Sequence, residues 1–150
     1  MADEVSIHVE ASPDEIYGLV SDVTRVGEWS PECQRCAWLG GATGPAPGAR
    51  FKGWNRRGLM RWTTTCTVVT AEPGREFAFE VDRSRMRWGY RMAADGEGCT
   101  VTEYREHLGD VSPLIKLVQL SGLLGRDRER LMVEGMTQTL ERVKAIAEAN

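Results

Sequence analysis

Residues 4–10 alternate, with Val5, Ile7 and Val9 on one side and Glu4, Ser6, His8 and Glu10 on the other. A period of two marks a strand with one buried face. Ser12-Pro13-Asp14-Glu15 then reads as a helix start: a hydroxyl at the cap, a proline at the first helical position and a carboxylate three residues after the cap. The apolar residues Ile16, Leu19, Val20 and Val23 continue at helical spacing, and Asp22 can cap a second short helix that ends before Ser30-Pro31. After Pro31 the pattern becomes short strands, expected near 33–39, 49–57, 61–71, 76–81, 86–93 and 99–108. The segments between them, including Arg57-Gly58, Pro73-Gly74 and Asp95-Gly96-Glu97-Gly98, are rich in turn-forming residues. Ser112-Pro113 opens a last helical region carrying Leu114, Leu117 and Val118, with a break expected at Gly122 or Gly125. From Arg128 onward Leu131, Met132, Gly135, Met136, Leu140, Val143 and Ile146 form one stripe, opposite Arg130, Glu134, Glu141 and Lys144.

This order implies an α+β fold: a seven-stranded curved antiparallel sheet, two short helices and a long C-terminal helix. No linker or internal repeat divides the chain, so residues 1–150 are expected to be a single domain in which sheet and terminal helix bury each other. Strands of about six residues span roughly 20 Å and a helix of about twenty spans roughly 30 Å. A curved sheet can therefore grip such a helix and still enclose a cavity.

Composition narrows the functional classes. Hydrophobic residues at 41% and charged residues at 27% place the chain among globular proteins. No apolar run approaches the ~20 residues of a membrane span, and the acidic start Met-Ala-Asp-Glu-Val is unlike a signal peptide. A cytoplasmic protein without stable membrane insertion is expected. A net charge of −3 argues against nucleic acid as a partner. The sequence leaves open whether the protein is a homodimer.

Strand parity groups Trp62 with Thr64 and Cys66, Phe77 with Phe79 and Val81, and Trp88 with Tyr90 and Met92. If those faces look inward, the interior is walled by rings that suit either plain core packing or an apolar ligand. Met132, Gly135 and Met136 on the terminal helix fit both readings. Cys33-Gln34-Arg35-Cys36 has the spacing of a metal or redox motif, but on a regular strand positions three apart face opposite ways. Cys66 and Cys99 are isolated, so no metal or cofactor is expected. The glycine-rich 40–48 segment lacks the Lys-Ser/Thr of a phosphate loop and reads as a mobile connection, able to act as a lid. His8 and His107 read as surface residues.

Four stretches resemble the START/Bet v 1-like helix-grip (SRPBCC) superfamily, and within it the polyketide cyclase/dehydrase and lipid-transport family. They are Ala11–Tyr17 with Ser21-Asp22 and Trp29-Ser30-Pro31 behind it, Gly48–Gly53, Cys99–Tyr104 and Gly135–Lys144. The resemblance spans nearly the whole chain and implies the helix-grip fold, while the family carries no universal catalytic signature. Its pattern implies that Tyr104 faces the cavity, with Thr102 and Glu106 beside it and Glu103, Arg105 and His107 outside. Tyr104 and Glu106 are then the candidate catalytic pair, unless Glu106 simply pairs with an arginine such as Arg91. Three readings follow: a binding protein for an aromatic, polyketide-like or lipid-like molecule held by Trp62, Phe77, Phe79, Trp88, Tyr90, Met92, Tyr104, Met132, Gly135 and Met136; a polyketide cyclase or dehydratase that uses the same cavity; or a protein-interaction module.

Overall fold

The computed structural model describes residues 2–82, 84–108 and 125–149. Strand β1 (Ala2–Val9) leads into helix α1 (Pro13–Val20) and a 3-10 helix (Val23–Glu28). Strands β2 (Cys33–Trp38), β3 (Arg50–Arg57), β4 (Met60–Glu72), β5 (Glu76–Val81), β6 (Met86–Asp95) and β7 (Gly98–His107) follow, and then helix α2 (Gly125–Glu148). The seven strands form one antiparallel sheet in the order β1-β7-β6-β5-β4-β3-β2. Consecutive hairpins account for five of its six pairings, and β1 closes the sheet against β7. The helical region expected at 112–122 lies outside the described residues.

The local signals act as their chemistry requires. Ser12 Oγ accepts the Glu15 N–H at 3.1 Å and Pro13 opens α1. Asp22 Oδ1 accepts the Thr24 N–H at 3.2 Å and caps the 3-10 helix. Both caps satisfy donors that a helix start leaves without partners.

The inner face of the sheet packs on the helices. Ile16, Leu19 and Val20 of α1 and Leu140 and Val143 of α2 share one core with Val9, Phe77, Met92, Cys99 and Val101. Each large apolar side chain buried there contributes about 1.5–3 kcal/mol. Lys144 of α2 donates from Nζ to the His8 carbonyl at 3.0 Å, tying the helix to the edge strand.

Two expectations are overturned. In β7, Cys99, Val101 and Glu103 stand opposite Val9, Ile7 and Val5 of β1, while Val101 and Glu103 stand opposite Met92 and Tyr90 of β6. Glu103 and Arg105 therefore belong to the inner face, and Thr102, Tyr104 and Glu106 to the outer one. The cause lies in the neighbouring strand: Tyr104 pairs with Gly89, whose missing side chain leaves a bed for the ring. Glu106 does pair with an arginine, accepting from Arg87 at 2.9 Å, whereas Arg91 binds Glu4 at 2.7 Å.

In β2 the ladder runs Cys33↔Asn55, Arg35↔Trp54, Cys36↔Gly53, with an irregularity between Cys33 and Arg35. Gln34 is the extra residue of a β-bulge, so three sequence positions become two ladder steps. Cys33 and Cys36 consequently lie on the same face, with Sγ atoms 3.3 Å apart. Parity had separated them because it assumes an unbroken ladder.

Candidate functional site

Rings on β2, β3 and β5 meet across the inner face. Trp38 of β2 lies edge-on to Phe51 of β3 with centroids 5.7 Å apart. Phe51 meets Phe79 of β5 at 5.1 Å, and Phe79 meets Phe77 at 6.1 Å. Cys66 of β4 stands opposite Phe51 and Val81, and its small side chain lets Phe51 reach past it to Phe79. Edge-on pairs of this kind add about 0.5–1.5 kcal/mol beyond their burial.

Among the described residues the same face is filled at one end and open at the other. Phe77 is 1% exposed and Met92 is buried, on the strands that α1 packs against. Trp38, Trp62, Phe79 and Trp88 remain only half-buried although they share that face. Half-open rings pointing inward make an apolar surface that the described residues do not cover, which suits a planar or chain-like ligand.

Polar groups on this face are specifically placed. Glu103 is 5% exposed, and its Oε2 has no hydrogen-bond partner among the described residues. Burial raises its carboxyl to about 8, so it carries its proton at neutral pH. Tyr90, its neighbour on β6, is buried too; burial pushes its phenol well above the ordinary value, and Trp29 hydrogen-bonds to its oxygen. One ladder step toward the open end, Arg105 donates to Asp3 Oδ2 from Nε at 3.1 Å and from Nη2 at 2.5 Å. Its guanidinium lies 5.8 Å from the Trp88 ring centroid. A neutral carboxylic acid beside a phenol can donate to a ligand oxygen or accept from a ligand donor, and the Arg105–Asp3 ion pair fixes a guanidinium beside Trp88 with its charge balanced.

Of the residues expected from the sequence, Trp62, Phe77, Phe79, Trp88, Tyr90 and Met92 lie on the inner face. Met136 is buried on α2, Met132 is half-buried, and Gly135 leaves room for Pro31, whose Cγ would stand 3.9 Å from a Cβ there. Tyr104 and Glu106 are on the other side of the sheet: the Tyr104 hydroxyl donates to Glu76 Oε2, and Glu106 and Glu80 flank Arg87. Sequence reasoning missed Glu103, Arg105, Trp38 and Phe51. The signal for the first two was present, since a period of two started from Cys99 and Val101 leads to Glu103 and Arg105. On the outer face two depressions of about 360 Å³ each are lined mainly by polar groups such as Glu80, Asp82 and Arg85, or Glu76, Arg91 and Thr102. Among the described residues no helix is long and apolar enough to cross a membrane.

Residues 4–148 match the family described as polyketide cyclase / dehydrase and lipid transport. The chain is 34% identical to the Polyketide_cyc-like protein Cgl2372 from Corynebacterium glutamicum, covering 98% of this chain and 91% of that one with a TM-score of 0.69. It is similar in fold to StfQ, a di-domain ARO/CYC from the steffimycin biosynthetic pathway, at 16% identity and a TM-score of 0.74, over 99% of this chain and 50% of that one. Ara h 8.0201 has the same fold at 11% identity and a TM-score of 0.71, covering 100% and 99% of the two chains. No curated protein matches the sequence.

Proposed function

Because this chain belongs to the polyketide cyclase/dehydrase and lipid-transport family of the Bet v 1-like superfamily, we propose that it binds a small hydrophobic molecule on the inner face of its sheet. The supporting observation is the set of half-open rings there, Trp38, Trp62, Phe79 and Trp88, beside a core that is otherwise closed. Aromatic, polyketide-like and lipid-like ligands all suit such a surface. Burying about 250 Å² of apolar ligand at ~25 cal/mol per Å² yields roughly 6 kcal/mol. Immobilising the ligand subtracts from this, so micromolar affinity is the ceiling without a polar anchor.

The test is a titration of the reduced protein with 2-naphthol and with palmitate, followed by tryptophan fluorescence. Saturable binding that weakens in Trp88→Ala supports the reading. Linear, unsaturable signals with both probes, in a protein that unfolds cooperatively, would sink it.

A second reading, a cyclase- or dehydratase-type enzyme, is favoured by Glu103. An inward, protonated carboxyl pushed up to about 8 is suited to give a proton to a carbonyl or leaving hydroxyl oxygen and then take one back. In that case Glu103→Gln abolishes turnover of a polyketide-like substrate and leaves its binding intact. Turnover that survives the substitution removes this reading and leaves the binding role standing.

A further inference from the structure

Cys33 and Cys36 share the inner face with Trp38 and Phe51, further along β2, and their arrangement is set by the backbone of that strand rather than by a ligand. All four cysteines are free thiols. Only Cys33 and Cys36 are brought side by side, with Sγ atoms 3.3 Å apart, by the bulge at Gln34. Gly53 faces them from β3: a Cβ there would stand 3.3 Å from Cys36 Sγ, 3.5 Å from Cys33 Sγ and 3.0 Å from Thr64 Oγ1. The absence of a side chain at Gly53 leaves the sulfurs room to turn toward each other.

The two thiols are unequal. Cys33 is half-buried and Cys36 is buried. The Cys36 thiol, together with backbone groups of Arg35 and Trp54, holds Cys33 below the ordinary thiol value although burial opposes them, and as a thiol Cys33 donates to the Arg35 carbonyl at 3.4 Å. The bond to Cys33, together with burial, pushes Cys36 up. Burial pushes the nearby Cys66 up to about 12, so it stays protonated. A more reachable sulfur whose pKa is lowered, next to a more buried partner whose pKa is raised, is the division between an attacking and a resolving cysteine.

We propose that Cys33 and Cys36 form a redox-active dithiol site that takes a hydroperoxide as its oxidising substrate and closes to an intramolecular disulfide. The Cys33 thiolate attacks the terminal peroxide oxygen. The S–O bond forms, the O–O bond breaks, sulfur gives up two electrons, and the departing oxygen takes a proton to leave as the alcohol, or as water from hydrogen peroxide. Cys36 then attacks the resulting Cys33 sulfenic acid; the S–S bond forms, the S–O bond breaks, and the hydroxide leaves as water with the Cys36 proton. The sum is dithiol plus hydroperoxide giving disulfide, alcohol and water.

The experiment treats the reduced full chain with hydrogen peroxide and, separately, cumene hydroperoxide, then counts thiols and maps disulfides by mass spectrometry. With at least one of the two, free thiols fall from four to two, the mass drops by two hydrogens, and one disulfide maps to Cys33–Cys36. Cys36→Ser stops at a sulfenic acid on Cys33 that dimedone traps, and Cys33→Ser forms neither product. The wild-type map needs no variant, so a substitution that fails to fold does not decide the matter. Four thiols surviving an excess of both oxidants, a disulfide that maps to Cys66 or Cys99, or dimedone labelling of Cys36 in place of Cys33 overturns the proposal. None of these outcomes bears on whether the inner face binds a hydrophobic ligand.

Discussion

The ring of Tyr104 lies against the bare backbone of Gly89 across the β6–β7 ladder, so that a Cβ on Gly89 would overlap its Cζ and hydroxyl oxygen. Arg91 covers the ring from the side with its guanidinium 4.6 Å from the centroid, and the hydroxyl reaches Glu76. Gly89→Ala is therefore expected to destabilise the protein by about 1–3 kcal/mol, the usual cost of overpacking a fitted contact. Tyr104→Phe keeps the ring in place and is expected to cost only about 1 kcal/mol. Urea unfolding midpoints measure both, and neither substitution should change affinity for 2-naphthol, because Tyr104 stands on the outer face.

Phe77 and Phe79 are two residues apart on one strand and on one face, yet differ in what covers them. Phe77 is 1% exposed on the part of β5 that α1 packs against, while Phe79 is half-buried at the open end. Phe77→Ala is expected to cost about 3–5 kcal/mol of stability, as for a filled core site. Phe79→Ala is expected to cost about half as much stability and to weaken ligand binding roughly tenfold, equivalent to about 1.4 kcal/mol of lost contact. Denaturant unfolding paired with fluorescence titration separates the two effects.

Glu103 should make stability depend on pH. Its folded-state value is raised by burial from 4.5 to about 8. Between those values the unfolded chain has released the proton and the folded chain still holds it. The folded state then binds more protons, so stability falls as pH rises through this window and levels off above it. Glu103→Gln is expected to flatten that slope and to gain on the order of a few kcal/mol over wild type near the upper end. Unfolding curves across the window check this; parallel curves for wild type and variant would mean that the carboxyl ionises normally.

Ser12 caps α1 through a 3.1 Å hydrogen bond to the Glu15 amide, and α1 supplies Ile16, Leu19 and Val20 to the core. Ser12→Ala is expected to lower stability by about 1 kcal/mol. Ser12→Asp should restore most of the loss, since a carboxylate accepts the same bond at the positive end of the helix. Thermal unfolding of the pair tests whether the cap or a mere change of volume is responsible.

What the sequence determined by itself was local. Alternation in residues 4–10, the Ser12-Pro13 cap, the turn residues between strands and the stripe from Met132 to Ile146 all report on neighbours a few positions away, and they specified the order and type of the elements. Long-range pairing decided the rest. In β7 both parities offer apolar residues, Cys99 and Val101 on one and Tyr104 on the other, and the pairing of Tyr104 with Gly89 of β6 turned Glu103 inward. In β2 a single bulged residue brought together two thiols that an unbroken ladder would have separated. A strand's periodicity is a property of its own backbone, but the face it presents to the core is set by the strands beside it, and only the folded sheet holds that information.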